Sequence, residues 1–327
     1  MVAVGTQADM KHNPDQLNAE ERRRALWERR VALEPIREER SRRRDECQKG
    51  LRYWVRPSHL LEPMLRAFHL FDRGRRNATH PTIRRVSFAF DALPAALDGF
   101  RLLHLSDLHF RSGDPAFAET LRDFVAGVDA DLCVLTGDYC FEYHGPYEHV
   151  IEQMSAFMAG VHTRLGTVAI FGNHDHSTFL EPLTDMGIRV LVNDSLAVTV
   201  NGARLRLVGV DDPHFFRCDD LAAAMDGAGE DDFVVMLIHS PERFAEAAEA
   251  GGHLYLCGHT HWGQVRLPVL GAVFVNARCP RRYCFGPWRY RGMQGYTSAG
   301  LGTTDVPVRF NCPPSGALIE LKRRDTT

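Results

Sequence analysis

The chain reads as α/β (α+β mixed): a four-layer αββα sandwich of two mixed β-sheets flanked by helices, with an N-terminal helical extension. Three observations predict this. From Ile83 onward short apolar runs alternate with helical patterns, which implies parallel pairing with crossovers. The tail is strand-rich and punctuated by Gly and Pro, which favours mixed or antiparallel pairing. The front is rich in Arg and Glu, which sets residues 1–82 apart from a domain spanning 83–327.

Taken in order, residues 1–16 read as disordered. From Leu17 to about Lys49 the sparse apolar members are Leu26, Trp27, Val31 and Leu33. Glu21, Glu28 and Glu38 lie about four residues from arginines, a spacing that supports an exposed helix. Pro35 should interrupt or kink it. Pro57 to Asp72 is amphipathic at helical spacing through Leu60, Leu61, Met64, Leu65, Phe68, Leu70 and Phe71. Residues 1–85 carry 20 Lys and Arg against 12 Asp and Glu, whereas the remainder carries 19 against 30. A basic amphipathic front of this kind packs on its own domain or a second subunit, or lies in an anionic membrane surface through residues 50–76. In the second case Trp54, Leu60, Leu61, Phe68 and Phe71 would enter the acyl boundary. No specific nucleic-acid motif accompanies the charge.

In the second region strands are expected at 83–90, 101–105, 132–136, 167–171, 188–192, 196–200, 204–210, 233–238, 254–257, 272–275, 295–298 and 316–322. Helices are expected at 115–128, 147–160, 178–186, 219–226 and 241–250. The eight cysteines are irregularly spaced, and Cys133 and Cys257 fall inside apolar strands, so a reduced set is expected rather than a disulfide framework. The start does not read as a signal peptide, and no run of about 18 apolar residues is present to span a bilayer. The expected location is cytoplasmic, with peripheral attachment at the inner face of the membrane through the basic front.

Five islands follow the apolar runs: Asp107-Leu108-His109, Gly137-Asp138, Gly172-Asn173-His174-Asp175, His239, and Gly258-His259-Thr260-His261. Singly each is ordinary, since Asp and Gly favour turns. Jointly they park carboxylate, amide and imidazole groups at successive strand ends, where ligands bind in open α/β folds. Hard oxygen and borderline nitrogen donors in that number suit a pair of divalent metals.

The order of these motifs resembles the calcineurin-like metallophosphoesterase superfamily, through residues 100–262 and as a domain through about 86–325. The resemblance implies a dinuclear-metal-dependent phosphoester hydrolase. Asp107, His109 and His261 would hold the first metal, and Asn173, His239 and His259 the second. Asp138 would bridge them, and His174 would be the catalytic acid. Manganese is the first expectation for the two ions, with Fe, Zn or Mg as alternatives. The tail, with Leu267-Pro268-Val269-Leu270-Gly271 and Pro307-Val308-Arg309-Phe310, is similar to a bacterial branch of membrane-associated phosphodiesterases. That branch includes calcineurin-like UDP-2,3-diacylglucosamine pyrophosphatases, which makes a lipid-linked sugar nucleotide of the lipid A pathway the candidate substrate. Trp262 stands where the family usually has Gly, and it would narrow the pocket or stack on substrate. Arg281 and Arg282, among aromatic neighbours, would bind a diphosphate or headgroup, or belong to a solvated basic loop. Two alternatives share the site: a phosphomonoesterase, and a scaffold that retains the fold without catalysis.

Overall fold

The computed structural model describes residues 17–47 and 57–324. The expected disorder of residues 1–16 and the interfacial placement of Trp54 and of the Leu60 side chain therefore lie outside the described residues. Helix α1 spans Ala19–Cys47. It opens with a reciprocal cap in which Asn18 Oδ1 accepts the Glu21 N–H and Glu21 Oε2 accepts the Asn18 N–H. The helix runs on through Pro35, where an interruption was expected. Proline removes one backbone hydrogen bond, but side chains on either side of it tie the helix down. Arg30, Glu34 and Arg37 are buried against the domain. The amphipathic segment that follows forms two helices, α2 (Pro57–Ala67) and α3 (Phe71–Ala78), separated at His69, whose φ is 55°. Leu65 and Phe71 are buried there with Val306 and Val308.

The strands are β1 (Thr82–Phe90), β2 (Arg101–Leu105), β3 (Leu132–Leu135), β4 (Thr167–Ala169), β5 (Ile188–Val190), β6 (Asp194–Val200) and β7 (Ala203–Gly209). They continue as β8 (Phe233–Leu237), β9 (Leu254–Cys257), β10 (Arg266–Leu267), β11 (Gly271–Ala272), β12 (Gly286–Tyr290), β13 (Met293–Thr297) and β14 (Ser315–Arg323). Helices α4 (Pro115–Val125), α5 (Glu148–Met158), α6 (Leu180–Asp185), α7 (Leu221–Ala224) and α8 (Phe244–Glu249) complete the chain. One sheet has the order β1-β14-β2-β3-β4-β5 and the other β12-β13-β9-β8-β7-β6, and both mix parallel with antiparallel pairs.

Side chains alternate across each strand, and both faces are buried. Leu102, Val134, Val235 and Leu256 meet between the sheets. Leu103, Leu105 and Leu135 face α4, α5 and α6 on one outside, and Val234, Met236 and Tyr255 face α7 and α8 on the other. This is the expected four-layer arrangement. Two local expectations fail. The strand expected at 272–275 is only a two-residue hairpin arm, and Val273 and Phe274 are exposed. The Arg- and aromatic-rich stretch around residue 288 is not a loop but contains β12, an edge strand. Pro287 masks it in the sequence, yet proline is tolerated where no further strand needs its N–H.

Candidate metal centre

Strands β2, β3 and β4 run parallel in one sheet, and β8 and β9 run parallel in the other, so their carboxyl ends share one rim. The loops leaving them are stitched together. Asp107 N–H donates to Gly137 O at 2.9 Å, His109 N–H to Asp138 O at 3.0 Å, and Gly258 N–H to His239 O at 2.9 Å. Turning the chain this sharply puts Asp107, His109, Asp138, His259 and His261 at φ values of 47° to 67°. Left-handed backbone at non-glycine residues is unfavourable, costs on the order of 1–3 kcal/mol each, and collects at functional sites. The motif glycines serve close approach: a Cβ on Gly172 would lie 2.2 Å from Asp138 Oδ1, and one on Gly258 2.1 Å from Asp107 Oδ2.

The turns bring the islands together. Asp107, His109 and His261 form one group with ligand atoms mutually within 4.8 Å, and Asp138, His239 and His259 form another. His109 and Asp138 also group with His174. Asn173, His174, Asp138, Asp107 and the four other histidines are all buried. His109 Nδ1 lies 3.2 Å from Cys140 O and His239 Nδ1 2.6 Å from Thr136 O. A carbonyl can only accept, so each ring places its N–H there and turns the Nε2 lone pair inward. This is how metal-binding imidazoles are oriented.

Among the described residues Asn173 Oδ1 and His259 Nε2 are buried without a hydrogen bond, and His239 Nε2 faces Asp138 Oδ2 at 3.2 Å. His109 Nε2 and His261 Nε2 face each other at 3.0 Å. Buried polar groups are seldom left so, and a divalent cation is the species that satisfies lone pairs converging on one point. The donor set therefore fits metal.

The electrostatics agree. Burial alone would raise Asp107 and Asp138, but the adjoining histidines outweigh it and hold both carboxyls below the ordinary range. Burial would lower His239, yet Asp138, whose Oδ2 lies 3.2 Å from Nε2, and then Asp107 raise it to about 10, so this ring must lose its Nε2 proton when a cation binds. Burial holds His109 and His259 well below the usual imidazole range, so both are neutral. His174 is pushed down to about 4 by burial, against the pull of Asp138 and with the help of Arg37. Its Nδ1–H donates to Phe141 O at 3.0 Å, and its Nε2 lies 2.5 Å from the Tyr143 hydroxyl.

Several participants act through contacts that their sequence motifs do not specify. Asp175 accepts backbone N–H groups from Asp138, Tyr139 and Gly172 at 2.7–2.8 Å, so it locks two loops together. Arg309 is fully buried, donates to the carbonyls of Ala299, Gly300 and Gly302, and sits 3.2 Å from His261 Nδ1. It lies in a motif singled out above, with no chemistry attached to it there. The Trp262 indole donates to Thr297 O at 2.6 Å and packs on the core between the sheets. Arg281 donates to Ala272 O, and Arg282 lies over the Tyr283 ring.

A two-sheet sandwich with buried carboxylate and imidazole groups at its strand ends defines a metal-dependent phosphoesterase. The calcineurin-like phosphoesterase family model matches residues 100–263, half of the chain, and the chain belongs to that family. It is 26% identical over 239 residues to the metallophosphoesterase YkuE of Bacillus subtilis, covering 70% of this chain and 82% of that one. It is 29% identical over 233 residues to the phosphodiesterase YaeI of Escherichia coli, covering 68% and 82%. A bovine transmembrane protein with a metallophosphoesterase domain is 27% identical over 261 residues, and there the chain spans 56% of the relative. Among solved structures, the NAD nucleotidase of Haemophilus influenzae is similar at a TM-score of 0.40 and 14% identity, covering 62% of this chain and 50% of that one.

Proposed function

We propose that this chain is a dinuclear-metal phosphodiesterase or pyrophosphatase. Asp107, His109 and His261 hold one ion, Asn173, His239 and His259 the other, and Asp138 is shared. The observation that carries the reading is the buried grouping of Asp138 with His239 and His259, together with the unpartnered His259 Nε2 and Asn173 Oδ1 among the described residues. Manganese is the ion we propose first; the oxygen donors suit manganese and magnesium, and the four imidazoles suit iron and zinc. Such a pair, when bound, lowers the pKa of water and clamps phosphoryl oxygens for in-line attack.

The chain's own groups do the rest. Asn173 supplies an uncharged ligand, which limits repulsion of an anionic substrate. His174 is the proton-handling group for the leaving oxygen. An imidazole at its ordinary pKa is not what surrounds it, because burial keeps the resting ring neutral and Tyr143 donates to Nε2. The Phe141 carbonyl and the Tyr143 hydroxyl hold the ring, which would pass to the leaving oxygen the proton released as the attacking water is deprotonated. Hydrolysis of bis-p-nitrophenyl phosphate with added Mn²⁺, lost in Asp138→Ala and His174→Ala, is the expected result. Absence of hydrolysis with any divalent metal sinks the reading, and a preference for monoesters replaces it with a phosphomonoesterase.

The name of YaeI favours diesters. A lipid-linked sugar nucleotide such as UDP-2,3-diacylglucosamine remains the candidate substrate, to be tested by mass spectrometry of products beside cyclic and linear nucleotide diesters. Among the described residues no helix is long and apolar enough to cross a membrane. Peripheral attachment is supported by exposed Met64, Phe68 and Leu70 near α2 and α3, and by exposed Val269, Leu270 and Phe274 after β10. Flotation with anionic liposomes, lost on replacing Phe68, Leu270 and Phe274 by Ser, is the expected outcome.

A further inference from the structure

Three arginines recur at seven-residue spacing on α1, and their surroundings change toward the metal centre. Arg23 donates to Asn193 O and Ala223 O at 2.6 Å each. Arg30 is fully buried, pairs with Asp211 and Glu34, and donates to Asp175 O at 2.8 Å. Arg37 is 6% exposed, yet its one hydrogen bond among the described residues runs from Nη1 to Asp175 O at 3.3 Å. Its Nε and Nη2 are buried without any acceptor.

The guanidinium carbon of Arg37 lies 4.7 Å from the centre of the Tyr143 ring and 5.3 Å from that of Phe216. The Tyr143 hydroxyl in turn meets His174. A buried cation with open donors is costly unless something completes it. Apolar walls strengthen its pull on an anion, and a planar guanidinium fork matches two oxygens of one phosphoryl group. Arg37 is thus joined to His174 through the Tyr143 ring, which touches both.

We propose that Arg37, delivered by a helix outside the family-matched segment, binds the non-transferred phosphoryl group of a phosphoanhydride substrate. This rests on the metal-centre reading above and makes the diphosphate the feature recognised. Titration calorimetry of inorganic pyrophosphate and inorganic phosphate tests it on the full chain, with Mn²⁺ and with chelator, beside thermal melts. In Arg37→Ala the pyrophosphate affinity falls at least roughly tenfold more than the phosphate affinity, the size expected for one charge-assisted fork. Arg37→Lys, a point charge without the fork, recovers part of the loss. If Arg37→Ala lowers the melting temperature, Arg37→Lys decides alone by its pyrophosphate-to-phosphate ratio against wild type. Equal weakening of both ligands, wild-type affinity in both variants, or no pyrophosphate binding by the wild type overturns the proposal. Selective pyrophosphate loss without any metal-dependent hydrolysis would sink the reaction instead, and leave the Arg37 site standing.

Discussion

Asp175 accepts the backbone N–H of Asp138 at 2.8 Å, and its same oxygen accepts that of Gly172 at 2.7 Å. Its other oxygen takes the Tyr139 N–H at 2.7 Å. The shared carboxylate and the loop bearing Asn173 and His174 are thus held at fixed separation by a group that reaches neither metal cluster. Asp175→Asn keeps one acceptor and turns an NH₂ toward a buried donor. An unsatisfied buried donor costs about 1–3 kcal/mol, and loss of such outer support weakens metal binding by about 10–100-fold. Chemical denaturation and Mn²⁺ titration check both, and wild-type metal affinity in the variant would remove Asp175 from this role.

Arg30 and Arg24 make opposite predictions from similar ion pairs. Arg30 is buried with Asp211, whose carboxylate, with that of Glu34, raises its pKa against the effect of burial. Arg24 pairs with Glu28 in solvent. Arg30→Met leaves the buried Asp211 carboxylate without its cation and the Asp175 carbonyl with only the longer Arg37 contact, at a cost of about 3–5 kcal/mol. Arg24→Ala changes stability by less than about 1 kcal/mol. Urea denaturation of the two variants should separate them clearly, and equal small effects would mean that α1 is not fastened through Arg30.

What the sequence disclosed follows from physical range. His239 and His259 are legible because each follows an apolar strand directly, so a local pattern reports their place. The strands around them are legible for the same reason. Arg30, Glu34 and Arg37 are not, because an Arg- and Glu-rich helix reads as solvated whatever it docks on. Their partners Asp175 and Asp211 lie more than a hundred residues away in the chain. The heptad of arginines at 23, 30 and 37 was the available signal, and i,i+4 pairing to glutamates concealed it. Tyr143 and Arg309 act through tertiary contacts alone. Pro287 hid an edge strand because proline argues against strands only where both edges are paired.

His104 carries a pH prediction. It is buried between the sheets, meets Thr136 Oγ1 through Nε2 at 2.8 Å, and has no partner at Nδ1. Burial lowers it to about 3, against the raising effect of Asp107. Between about 3 and the ordinary value of 6.5 the unfolded chain then binds the proton and the folded chain does not. Stability is therefore complete above the unfolded value and falls as the pH drops through that window. One such group contributes about 1.4 kcal/mol per pH unit. Urea denaturation at pH 7, 6 and 5 should show a shallower acid slope in His104→Leu than in wild type. Parallel slopes would mean that His104 is charged in the fold.

Gly258 tests how tightly the centre is built. A Cβ there would stand 2.0 Å from Ser106 Oγ and 2.1 Å from Asp107 Oδ2, distances that no side chain tolerates. Asp107 also accepts the His259 N–H through both oxygens at 3.0 and 3.1 Å, so its displacement would move the His259 backbone with it. Gly258→Ala should lower metal stoichiometry, measured by elemental analysis, and cost about 1–3 kcal/mol through overpacking. Gly127→Ala is the control, since nothing lies within 4 Å of its added Cβ, and it should keep both properties. Full metal occupancy in Gly258→Ala would show that Asp107 moves freely, and the geometry argued for the first cluster would then fail.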